Sequence, residues 1–224
     1  MTACLRLMIL ILCTLYGCAN LTTEPYGYVG KDRVKVSPEI DKIVLPPGAP
    51  SISQGYKPEM AASGYGQKGN SAHEGIDVLA HSGKPVLAAA DGIVSSSFFE
   101  PLYGNQIVIA HGQNDDGLFY KTKYFHLQHR LVQAGDTVVR GEQIGTLGMT
   151  GLLSAGFSHL HFEVRTSPEA DTRLTDPVHP HKYWMDGPGV VTCFDKDRDY
   201  PARPFRTTYP VPCNGVRWKD WDAN

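Results

Sequence analysis

Residues 158–165 read SHLHFEVR, and the pattern alternates without a slip. Leu160, Phe162 and Val164 fall on one side, while His159, His161, Glu163 and Arg165 fall on the other. Apolar side chains at every second position define a strand with one buried and one wet face. A chain that contains such a strand must build a sheet around it. The wet face carries two histidines side by side. Residues i and i+2 of a strand point the same way with Cα atoms about 6 to 7 Å apart, so His159 and His161 can both address one ion or one substrate group. Two solvated imidazoles are the plainer reading of the pair taken alone.

The same short-period pattern runs through much of the chain. Residues 84–90, 92–98, 106–111, 118–127, 137–140, 143–147 and 159–165 are strand candidates, separated by turn residues such as Asp91-Gly92, Gly104-Asn105 and Gly135-Asp136. Sustained helical periodicity is missing. These features predict an all-β protein of antiparallel sheets. At 224 residues the chain has room for one domain of catalytic size plus tails. Its 21 basic and 23 acidic residues give a formal charge of −2, which disfavours nucleic acid and acidic membranes as partners.

The two ends read differently. An apolar stretch from Leu7 to Leu15 follows Arg6 and is too short for a membrane span, which needs about 20 residues. It reads as a removable export signal over residues 1–17. The sequence Leu15-Tyr16-Gly17-Cys18 resembles the lipobox of bacterial lipoproteins, which implies a membrane anchor through lipid on Cys18. Ordinary cleavage leaving a free thiol is the other reading. Residues 18–55, with five prolines, read as a tether, with a short strand candidate at residues 42–45. A domain spans residues 56–178. Residues 179–224, rich in proline and aromatic residues, read as an irregular extension wrapped on it. Once the signal is removed and Cys18 is lipidated, Cys193 and Cys213 remain. In an oxidising compartment that even remainder points to a disulfide, with two separate buried thiols as the alternative.

Three fragments carry chemistry. In SAHEGIDVLA, His73 and Asp77 would lie about 13 Å apart along a straight strand, so a shared ion requires the chain to bend between them. Gly75 is the residue best able to permit that. In YKTKYFHL, His126 closes a strand with Tyr120, Thr122 and Tyr124 on its own side. The third is the opening strand itself. His73-x-x-x-Asp77, Tyr124-x-His126-Leu127 and His159-x-His161, taken in order with HEGIDVLAHSGKPVLAAADGIVSSS, YGNQIVIAHG and VQAGDTVVRGEQIGTLGMTG, resemble the LytM and lysostaphin-type zinc peptidases, which cleave peptides of the bacterial cell wall. The likeness covers about residues 60–178.

That resemblance implies an open, incomplete barrel, with one zinc ion held by His73, Asp77 and His161 at the edge of a groove. His126 and His159 would stand beside it unligated, to handle protons and charge. Three protein ligands leave a fourth position for water, as in catalytic rather than structural zinc sites. The implied substrate is the peptide stems of peptidoglycan, and the implied location is the periplasmic face of the outer membrane. A different role is known among family members that have lost ligands, which serve as activators of wall amidases; here all five positions are filled. The hairpin GDTVVRGEQIG also resembles lipoyl and biotinyl carriers, but no lysine occupies a tight hairpin turn. Two departures from the family pattern stand out: TGLLSAGFSHLH is about two residues longer than usual, and Gln67 stands where an arginine is common. Of the other histidines, His81, His129, His179 and His181 read as solvated and His111 as structural. Asn105 and Tyr124 read as supporting residues.

Overall fold

The computed structural model describes residues 40, 42–57, 73–170 and 175–219. The export signal, Cys18, Gln67 and the first part of the expected tether lie outside the described residues. Among the described residues the regular elements are strands and two 3-10 turns. The strands are β1 (Ile52–Gln54), β2 (Ile76–Leu79), β3 (Pro85–Leu87), β4 (Gly92–Glu100), β5 (Gly104–Gln113), β6 (Phe119–Leu127), β7 (His129–Arg130), β8 (Thr137–Val138), β9 (Gln143–Thr146), β10 (His159–Ser167) and β11 (Asp176–Val178). The large sheet runs β1-β2-β10-β6-β5-β4-β8, with β11 also paired to β10; β3, β9 and β7 form a second, smaller sheet. All these strand pairs are antiparallel. The all-β expectation holds.

Alternation determines which face goes inward. Ile76 and Val78 of β2, Leu160, Phe162 and Val164 of β10, Tyr124 of β6 and Ile107 and Ile109 of β5 join Val86 and Ile144 of the small sheet in one core. The polar face of β10, expected to be wet, is instead covered: His159, His161 and Glu163 are all buried. The strand lies between β2 and β6. The His159 ring packs on His126 of β6, and the His161 ring packs on Phe125 of the same strand.

The chain ends are more integral than their composition suggested. Ile52, placed by sequence in the tether, is fully buried, and its strand pairs with β2. Val44 bridges to Val190, and the Asn214 amide donates to the Gly48 carbonyl. The tether reading therefore fails over residues 42–55, where three-residue pairing without alternation hid a folded segment. The extension after residue 178 also enters the core through Trp184, Phe205, Tyr209 and Val211. The Trp184 ring stacks at 6.3 Å on Phe162, directly behind the histidine strand. Cys193 and Cys213 form the expected disulfide.

His179 and His181 are not solvated. They are 4% and 0% exposed, because the turn Pro180–Lys182 folds inward and the Trp184 indole N–H donates to His181 Nδ1 at 2.7 Å. Burial, aided by the neighbouring Lys182 charge, pushes His179 down to about 4. The rings facing it are Tyr56 at 5.0 Å and His181 at 5.3 Å. An unfolded histidine takes up its proton near pH 6.5, whereas this folded one waits until about 4. Its contribution to stability is therefore full above pH 6.5 and is lost as pH falls through that window, by about 3 kcal/mol. In urea titrations from pH 7 to 4, His179→Gln should flatten the fall in stability by close to one proton's worth of slope.

Candidate active site

The pairing of β2 with β10 builds the centre of the site. Asp77 lies directly opposite His161 in the antiparallel register, and His159 lies opposite Leu79. Cross-strand partners share a face with Cβ atoms about 5 Å apart. Asp77 Oδ1 accordingly lies 2.8 Å from His161 Nδ1. His73 precedes β2, in an isolated bridge to Lys57. The bend that brings it back is at Gly75, but the reason is proximity: a Cβ on Gly75 would sit 2.3 Å from the Phe162 carbonyl oxygen of β10. Only glycine lets the two backbones approach this closely. His73 Nε2 then reaches 3.0 Å from the same Asp77 oxygen. The ligand atoms of His73, Asp77 and His161 all lie within 4.8 Å of one another.

His126 reaches the site by a different device. In strict alternation it would share the core side with Tyr124. The structure corrects that expectation. The β5–β6 register shifts between the Asn105–Leu127 and Ile107–Tyr124 pairs, and His126 sits in the bulge with φ of 61°. Tyr124 and Leu127 both remain in the core, while His126 turns to the other face, with its ring 4.8 Å from His159 and 6.3 Å from His161. Bulges recur next to active sites because they re-aim one side chain.

Hydrogen bonding fixes each ring's tautomer. A backbone carbonyl can only accept, so the nitrogen facing it must carry the proton. His73 Nδ1 donates to Gly55 O at 2.7 Å, His126 Nδ1 to Thr150 O at 2.9 Å and His159 Nδ1 to Phe157 O at 3.0 Å. His161 Nε2 lies 3.1 Å from Glu163 Oε1. One nitrogen of each ring is thereby committed outward, and the other is left to the site. Thr150 is in turn held by its hydroxyl, which donates to Leu127 O and accepts from the Asn105 amide.

The electrostatics follow from crowding lone pairs together. Burial works to raise the Asp77 pKa, but hydrogen bonds from His161 and His73 outweigh it and hold the carboxyl well below the usual range. Burial works against a charge on His161, yet its bonds to Asp77 and Glu163 prevail and raise it to about 9. For His126 burial wins: it is pushed down to about 4, with the Thr150 carbonyl opposing and the neighbouring imidazoles adding to the fall. His126 is neutral at pH 7.

Two imidazole nitrogens and a carboxylate oxygen converging in this way suit a divalent cation of zinc's type, and among the described residues no thiolate joins the set. His126 and His159 stand beside the trio; His159 Nε2 is 3.8 Å from Asp77 Oδ1. His81 and His129 remain exposed as expected, and His111 is tied to Asp91 O and the Thr122 hydroxyl, a structural role. Glu163 was not singled out by sequence reasoning. The available signal was its i+2 spacing from His161 on the same strand face.

Residues 71–177 match the model of peptidase family M23. Over this region the chain is similar to peptidase family M23. Curated relatives include the peptidoglycan DD-endopeptidases ShyC and ShyA of Vibrio cholerae, 45% and 39% identical over 92 residues. Those stretches cover 41% of this chain and 20% of each relative, so the likeness spans about a fifth of the relatives' length. Among solved structures, the lysostaphin catalytic domain of Staphylococcus simulans is 30% identical, with 52% of this chain and 80% of that one covered and a TM-score of 0.42. A zinc-containing peptidase from Vibrio cholerae is 31% identical, with 63% and 39% covered and a TM-score of 0.47.

The left-handed backbone at His126 makes a separable prediction. A non-glycine residue there is strained, by about 1 kcal/mol. His126→Gly should be more stable than His126→Ala by roughly that amount in urea denaturation, although both lose the imidazole.

Proposed function

We propose that this chain is a zinc-dependent endopeptidase that hydrolyses peptide cross-links of bacterial peptidoglycan. The observation that carries the reading is the convergence of His73, Asp77 and His161 on one point, with His159 Nε2 3.8 Å from Asp77 Oδ1 and the His126 ring 4.8 Å from that of His159. The substrate class is supported by the relatives of the M23-like region, which include the peptidoglycan DD-endopeptidases ShyC and ShyA. The reading of the whole chain adds an export signal over residues 1–17, lipid on Cys18, a tether that ends near residue 41 and a station at the periplasmic face of the outer membrane.

Zinc, when bound by His73, Asp77 and His161, supplies a Lewis acid that polarises the scissile carbonyl and brings the pKa of water toward neutrality. The rest falls to side chains. His126 and His159 have each given Nδ1–H to a carbonyl, so each can accept the proton of the attacking water only at Nε2. Once protonated, that Nε2–H can donate to the oxyanion forming at the substrate carbonyl, or pass its proton to the leaving amine. The depressed basicity of His126 suits the second step, because a reluctant base is a ready acid.

A non-catalytic activator of a wall amidase is the rival role, and it makes opposite demands on the same residues. Digestion of purified muropeptides should yield peptide-bond cleavage that a chelator abolishes and Zn2+ restores. His161→Ala should lose at least about 10³-fold in rate. His126→Ala and His159→Ala should each lose about 10² to 10⁴-fold in kcat while still binding the metal. A protein that keeps its effect on the wall after His161→Ala would not be a hydrolase.

A further inference from the structure

Glu163 is a buried carboxylate, 3% exposed, on a strand face that could have carried any polar residue. Leaving a carboxylate charged in such a place is expensive unless its partners are fixed. They are. Oε1 accepts from His161 Nε2 at 3.1 Å, and Oε2 lies 2.9 Å from an Arg165 guanidinium nitrogen, with the Lys123 ammonium at 4.0 Å. The same Arg165 nitrogen is 2.7 Å from Glu74 Oε2. The far side of the guanidinium is committed to Thr175, through the side-chain oxygen and the carbonyl. Glu74 is the residue next to His73, and it lies 91 positions from Arg165. One arginine therefore ties the segment that carries one ligand to the strand that carries another.

We propose that Glu163 and Arg165 are positioning residues of the metal centre: Glu163 fixes the His161 ring and its tautomer, and Arg165 locks both Glu163 and the His73 segment. The inference rests on the reading of His73, Asp77 and His161 as metal ligands. A carboxylate on the outer nitrogen keeps a proton there when Nδ1 gives up its own to a cation, and it makes the ring a stronger electron donor. Arg165 holds that carboxylate in the plane where it meets the ring. Without the pair, the outer nitrogen of His161 would lose its fixed partner, and the His73 segment would lose its tie to β10 through Glu74.

The test is metal affinity of the full chain, measured by chelator competition with Zn2+ and by the absorption of bound Co2+, alongside the melting temperature of each metal-free variant. Glu163→Gln keeps an acceptor for the ring and loses the charge, so affinity should fall about 10-fold; Glu163→Ala should fall about 100-fold, and Arg165→Met should lie between them. A buried pair that mattered only for folding would move the metal-free melting temperature but not the order Gln above Ala in affinity, nor the Co2+ spectrum. Should Glu163→Ala fail to fold, Glu163→Gln and Arg165→Lys carry the comparison. Folded variants that bind within twofold of the parent would overturn the inference. If the parent itself binds no more tightly than His161→Ala, it is the metal reading that fails.

Discussion

One antiparallel register, Asp77 opposite His161, organises the chemistry of this protein. It sets a carboxylate and an imidazole on the same face of adjacent central strands, with no loop between them to blur the distance. A one-residue slip would send Asp77 into the core and expose Ile76 and Val78. The hydrophobic pattern of β2 and β10 that keeps the core closed is therefore also what keeps the two ligands together. Trp184 stacked behind Phe162 reinforces the same strand from the other side. In this fold the stability of the sheet and the geometry of the site are one property.

The remaining members reach the site by breaking regularity. Gly75 lets the chain before β2 cross against the Phe162 carbonyl and return His73 to the Asp77 carboxylate. The bulge in β6 turns His126 out of the core. A fully regular sheet would have given only Asp77, His159 and His161. Strain at His126 and the loss of a side chain at position 75 are local costs, offset by the pairing on either side.

Those differences explain what the sequence could and could not disclose. Period-two alternation made β10 legible residue by residue, and β4, β5 and β6 were legible from the same signal within a few residues at their ends. Gly75 was identifiable as the bend, although spacing could not tell close approach from an unusual φ. His126 was recognised as a site residue only through the family likeness. Alternation alone put it on the wrong face, because a bulge leaves no mark in the hydrophobic pattern when the next residue, Leu127, is itself apolar. The segment around Ile52 was misread for a related reason. Its partner strand is distant in sequence and its run is too short for any period, so proline content dominated a region that tertiary contact had ordered. Burial of His179 and His181 was hidden in the same way.

His159 and His161 share a strand face but present different nitrogens to the site, and the cause lies in which nitrogen each has surrendered. His161 gives Nε2 to Glu163, two residues further along the strand, and so turns Nδ1 toward Asp77. His159 gives Nδ1 to Phe157 O, two residues back, and is left with Nε2, the atom farther from its own backbone. The shorter arm meets Asp77 at 2.8 Å, and the longer arm stops 3.8 Å from the same carboxylate oxygen. His126, with Nδ1 held by Thr150 O, presents the same long arm from the opposite strand. Thr150 and Phe157 bracket the loop between β9 and β10, so one loop sets the protonation pattern of both unligated histidines. Its carbonyls act as acceptors that no change of pH can turn into donors. The division that the proposed mechanism makes between holding a cation and moving a proton thus has its physical basis in the backbone beside the rings.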